Sequence, residues 1–188
     1  MVLFPKNLQK EIEESNEWIY PDINNGVYRS GFATTQEAYN KAVTQLFASL
    51  DRVEKHLASS TGPCYFGASI TEADVRLYTT IIRFDAVYVQ HFKTNIRDIR
   101  SGYPHIHKWL RHLYWNEEAF GSTTEFTHIK SHYTKSHPQV SRAFEEQKDR
   151  ANVLQINPFG ITPQGPEPPI LKEDEEVPAV AYALSLRK

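Results

Sequence analysis

The 188-residue sequence predicts an all-α fold, a bundle of about six helices with an extended carboxyl-terminal tail. Three observations predict it. Apolar residues recur at the helical period through Tyr39, Ala42, Val43, Leu46, Phe47, Leu50, Val53 and Leu57. Helix-start signals stand at Thr34, Thr71 and Pro104, and no convincing strand is found between them. The implied boundaries are a helical domain over residues 1–155 and a tail over 156–188.

The first helix is expected over 5–20, where Leu8, Ile12 and Ile19 share a face and Pro5 suits a first turn. Residues 21–32 collect Pro21, Asn24, Asn25, Gly26 and Gly31, so they read as an ordered loop holding Val27, Tyr28 and Phe32. Thr34 with Glu37 forms a capping box, which starts the long periodic helix that SSTGPCYFG ends. Thr71 with Asp74 forms a second box, with Ile70 and Val75 placed as a hydrophobic staple, and the helix it starts runs to Phe92. That helix also carries Arg76, Arg83 and Asp85, charges that must be paired or face solvent or a cleft. Pro104 opens a helix through Ile106, Trp109, Leu110 and Leu113; a short one covers TEFTHIKSHY, and another covers 139–155. Beyond Ile156 the density of Pro, Gly and acid leaves little to bury, hence the tail.

Charge and composition exclude several classes. With 23 Asp and Glu against 21 Lys and Arg, the net charge of −2 offers no sequence-wide positive field for a nucleic acid. The single cysteine, Cys64, excludes a disulfide within the chain and a multi-cysteine zinc site, and fits a cytoplasmic setting. No apolar run reaches the roughly 18 residues of a membrane span, and acidic residues arrive too early for a signal peptide. The aromatic fraction, 12%, is high enough to build either a core or a pocket for a flat ligand.

Motifs that carry chemistry are scarce. Cys64 lies in TGPCYFG with neither a helix start nor a neighbouring cation, so a buried thiol is preferred over a nucleophile. His128 and His132 are spaced as two ligands on one helix face, yet HIKSH has no general-base glutamate and no evident third ligand; hydrogen-bonding histidines and no metal are expected. His105, His107 and His112 line a helix, and no Gly-rich phosphate loop or nucleophile elbow occurs.

Taken together, NNGVYRSGFATTQEAY, TEADVRLYTTIIRFDAVYVQHFK, YPHIHKWLRHLY, HIKSHYTKSHPQV and INPFGITPQGP resemble the helical half of the glutathionyl-hydroquinone reductases, the xi class of glutathione transferases, related to the omega class. The resemblance runs over roughly 5–166, with the stretch after Pro138 as a local departure. It implies a two-part enzyme: a thioredoxin-like half that binds the co-substrate glutathione and supplies the nucleophilic cysteine, and a helical half that forms the pocket for a quinone or hydroquinone. Neither the strand pattern nor the cysteine motif of the first half precedes Phe4, so no catalytic residue is expected here and the substrate-binding candidates are Tyr28, Tyr88 and Tyr133. Arg83 and Asp85 are expected to orient their helix by pairing. The implied partners are a glutathione-conjugated quinone or hydroquinone and a second copy of the complete protein, with neither nucleic acid nor membrane. The competing reading is a non-catalytic interaction module of glutathione-transferase type.

Overall fold

The computed structural model describes residues 2–136. Five helices of eleven residues or more form its frame: α1 (Gln9–Ile19), α3 (Gln36–Ser59), α4 (Glu72–Arg83), α7 (Pro104–Asn116) and α9 (Phe126–Ser136). Between them lie the short helices α2 (Gly26–Gly31), α5 (Val89–His91), α6 (Ile99–Gly102) and α8 (Glu118–Gly121). Among the described residues there is no strand, only an isolated bridge between Cys64 and Gly67. No described helix is long and apolar enough to cross a membrane. The expected helix over 139–155 and the tail over 156–188 lie outside the described residues.

The long α3 is the spine. Its apolar face buries Val43, Leu46, Phe47, Leu50, Val53 and Leu57, against α2 on one side and α7 on the other. The same core takes in Leu77 and Ile81 from α4 and Ile106, Leu110 and Leu113 from α7, so the helical period seen in the sequence is the period of burial.

The start of α4 is the most tightly specified point. Thr71 and Asp74 form the expected reciprocal capping box. The Asp74 carboxylate, wholly buried, accepts from Thr71 N–H at 2.9 Å and from the Thr71 hydroxyl at 2.9 Å. It also accepts from Tyr65 N–H at 2.7 Å and Trp109 Nε1–H at 2.9 Å, which joins α4 to the 60–67 turn and to α7. A buried carboxylate is tolerated because its oxygens are saturated with donors. Glu72 N–H, which the helix itself leaves without an acceptor, donates to the Leu3 carbonyl at 2.8 Å.

Three expectations need correction. The cap of α3 is Thr35 and not Thr34: its hydroxyl accepts from Ala38 N–H at 3.1 Å, and with Ala at that position the reciprocal bond of a box is lost. Residues 21–32 are helical rather than an ordered loop, running through a π-turn (Tyr20–Asn24) into α2. The glycines there serve packing: a Cβ on Gly31 would stand 2.1 Å from Phe92 Cδ1, and one on Gly26 would touch Leu46. The helix from Thr71 is also broken in register, because α4 passes into a second π-turn (Phe84–Tyr88) before α5.

Candidate functional site

Tyr28, Tyr88 and Tyr133 lie on α2, the second π-turn and α9, and their hydroxyls meet. Tyr133 Oη is 2.7 Å from Tyr28 Oη and 2.7 Å from Tyr88 Oη. Each element contributes for a local reason. Gly31 lets α2 close on Phe92, whose ring then lies 5.1 Å from that of Tyr28 and stacks on Tyr88 at 5.4 Å and 7°. The π-turn inserts a residue into the helical register, which turns Tyr88 toward α9. On α9, Ile129 and Tyr133 share the buried face.

Asp85 holds the π-turn from behind. Its carboxylate accepts from Ile99 N–H at 2.7 Å and Arg100 N–H at 3.0 Å, the first turn of α6. Burial pushes the Asp85 carboxyl up to about 7, while those two N–H groups and the Arg100 cation pull the other way. The expected pairing with Arg83 is therefore corrected: Asp85 orients the turn through backbone amides, and the Arg83 guanidinium donates to the Thr79 carbonyl and lines the cavity.

That cavity, about 610 Å³, opens beside the three tyrosines. Its lining takes Arg76, Thr79, Thr80 and Arg83 from α4, His128, Ile129 and His132 from α9, and Tyr20, Asn24 and Asn25 from the first π-turn and its end. Asn24 is fixed by donating to the Arg76 carbonyl at 2.9 Å and the Thr80 hydroxyl at 2.6 Å. Desolvation, then the neighbouring phenols, raises the Tyr88 hydroxyl far above its ordinary range, and burial followed by the Tyr28 hydrogen bond raises Tyr133. Both remain neutral phenols at physiological pH, able to donate and accept hydrogen bonds. The three phenol oxygens meet at the cavity wall, where phenols can both donate to and accept from a ligand oxygen.

Away from the cavity, burial shifts further titratable groups, Cys64 and His107 among them. Cys64 is 1% exposed, and burial, reinforced by Asp74 and Glu117, pushes its thiol up to about 12, which keeps it unreactive. His107 is buried and lowered to about 4, chiefly by desolvation and then by Arg111 and Arg100. His105 Nδ1 sits 2.7 Å from Glu54 Oε1. Among the described residues no group of three or more His, Cys, Asp or Glu could hold a metal.

Sequence reasoning names the tyrosines by resemblance, gives Arg76 and Arg83 only as charges to be paired or to face solvent or a cleft, and does not name Asn24 as a site residue. A signal for two of these was present: Arg76, Thr79, Thr80 and Arg83 follow the i, i+3, i+4, i+7 spacing of one helix face, polar where the opposite face is apolar.

Residues 36–112 match the family model described as glutathione S-transferase, C-terminal domain. The glutathione S-transferase omega-like 2 of Schizosaccharomyces pombe is 54% identical over 166 residues, covering 88% of this chain and 48% of that protein. Glutathionyl-hydroquinone reductase YqjG of Escherichia coli is 42% identical over 163 residues, covering 87% and 44%. The crystal structure of the glutathione S-transferase Xi from Phanerochaete chrysosporium superposes with a TM-score of 0.79 at 48% identity, covering 93% of this chain and 52% of that one. The chain thus spans about half the length of the curated relatives it matches. Residues 36–112 thus carry a glutathione S-transferase C-terminal domain, and over about nine-tenths of its length the chain is similar to proteins named xi-class and omega-like glutathione transferases and glutathionyl-hydroquinone reductases.

Proposed function

We propose that the described residues form the acceptor-ring site of a glutathione-dependent glutathionyl-hydroquinone reductase. The observation that carries this reading is the meeting of three phenol hydroxyls, each pair at 2.7 Å from the central Tyr133, at the wall of a cavity large enough for an aromatic ring. The rings of Tyr20, Tyr28, Tyr88 and Tyr133 in the cavity lining support it, since a flat oxygenated ring needs apolar faces and a few placed donors.

In the complete enzyme a glutathionyl-hydroquinone and one glutathione yield the hydroquinone and glutathione disulfide. The bond broken joins the ring carbon to sulfur, and the bond formed joins two sulfurs. Cys64 is buried and off the cavity, so the described residues suit the ring and not the thiol step. That step belongs to the part of the relatives that this chain does not cover. What these residues do is hold a ring oxygen by a phenol donor, exclude water from one ring face and fix the direction in which the carbon–sulfur bond points. The same reading places the complete protein in the cytoplasm as a homodimer.

Anaerobic titration of the chain with 2-methylhydroquinone by calorimetry tests the assignment. Saturable binding that weakens about tenfold in Tyr133→Phe is expected, the loss of one good hydrogen bond. Absence of binding by a folded chain would favour the interaction module.

A further inference from the structure

We propose that the cavity selects acceptor rings bearing a carboxylate, with Arg83 as the residue that recognises it. This rests on the acceptor-site reading above and goes beyond it by naming the substrate class.

The described cavity lining includes Arg76, Arg83, His128 and His132 and contains no Asp or Glu, although the whole chain carries a net charge of −2. The two arginines differ. Arg76 is held by Glu72 one turn earlier on α4 and is largely exposed. Arg83 is half-buried, and its guanidinium donates to the Thr79 carbonyl and to no carboxylate among the described residues. It stands close enough to Tyr133 for its charge to act on that hydroxyl. A cation lacking a described counter-ion, beside a cluster of phenol donors in one cavity, forms a two-point site: the phenols take a ring hydroxyl, and the planar guanidinium takes a carboxylate on the same ring. His128 and His132 add donors on the facing helix.

Glutathione also carries carboxylates, so the experiment separates the two sources. Three probes are titrated anaerobically into the chain by calorimetry: 2,5-dihydroxybenzoate, 2-methylhydroquinone and glutathione alone. Each is measured with the wild type, Arg83→Gln and Arg83→Lys, and thermal unfolding confirms that the variants remain folded. The wild type is expected to bind 2,5-dihydroxybenzoate about tenfold more tightly than 2-methylhydroquinone. Arg83→Gln should erase that ratio, and Arg83→Lys should keep part of it. Equal affinities in the wild type, or a ratio that survives Arg83→Gln, would overturn the inference and leave the acceptor site standing. A variant that loses only glutathione would assign the cation to the peptide and overturn it equally. Binding of neither ring would sink the acceptor-site reading itself, and this inference with it.

Discussion

Replacing Asp74 by Ala should be among the most destabilising single changes in this domain, and the size follows from the bonds. The carboxylate accepts from Tyr65 N–H, Thr71 N–H, the Thr71 hydroxyl and Trp109 Nε1–H while wholly buried. Truncation leaves two backbone amides and an indole N–H without an acceptor, each costing about 1–3 kcal/mol. With some relief from water entering the space, a loss of about 4–5 kcal/mol is expected, a large share of the roughly 5–15 kcal/mol that holds a domain together. Urea unfolding followed by circular dichroism measures it, with the slope unchanged and the midpoint lowered. Thr71→Ala, which removes the cap but leaves the carboxylate two amide donors and the indole, should cost only about 1 kcal/mol. A double-mutant cycle with Trp109→Phe isolates one bond, and a coupling of about 1 kcal/mol or more is expected. A cost for Asp74→Ala no greater than that of Thr71→Ala would refute the view that this carboxylate joins three segments of the fold.

Two further outcomes follow from the packing and the charges. Gly31→Ala places a methyl 2.1 Å from Phe92 Cδ1, so α2 must move; a stability loss of about 1–3 kcal/mol in urea is expected, together with weaker binding of 2-methylhydroquinone, because Phe92 stacks on Tyr88. His107 is lowered to about 4 in the fold against its ordinary 6.5, so the unfolded chain takes up the proton first. Its contribution is fully present above about pH 6.5 and is lost as pH falls toward 4, on the order of 3 kcal/mol in all. Urea unfolding at pH 7, 5.5 and 4.5 should therefore show a steeper acid loss in the wild type than in His107→Gln, and parallel losses would contradict the burial argument.

How much of this was legible beforehand depended on the range of each signal. The Thr71–Asp74 box and Pro104 were readable because cap and proline chemistry act within one helical turn. The cap of α3 slipped by one residue because two adjacent threonines both satisfy the spacing rule, and only the backbone geometry of Thr35 decides between them. Residues 21–32 were misread because glycine carries two meanings, a bend or a close approach, and the second depends on Phe92, far away in the chain. The two π-turns each span five residues, too short a stretch to stand out in the hydrophobic period. Convergence of Tyr28, Tyr88 and Tyr133 could not be derived from spacing at all; their sequence separations are 105 and 45 residues across the two hydrogen bonds, and only the family resemblance pointed to them. The stripe from Arg76 to Arg83 is the opposite case, a local pattern in the sequence whose charges could be read as facing a cleft but not as lining this one.

The most direct test of the acceptor site is a crystal structure of the chain grown anaerobically with 2-methylhydroquinone. The account predicts the ring inside the cavity between α4 and α9, one oxygen within about 3 Å of a hydroxyl of Tyr28, Tyr88 or Tyr133. A ring bound elsewhere on the molecule, with that cavity empty, would contradict it.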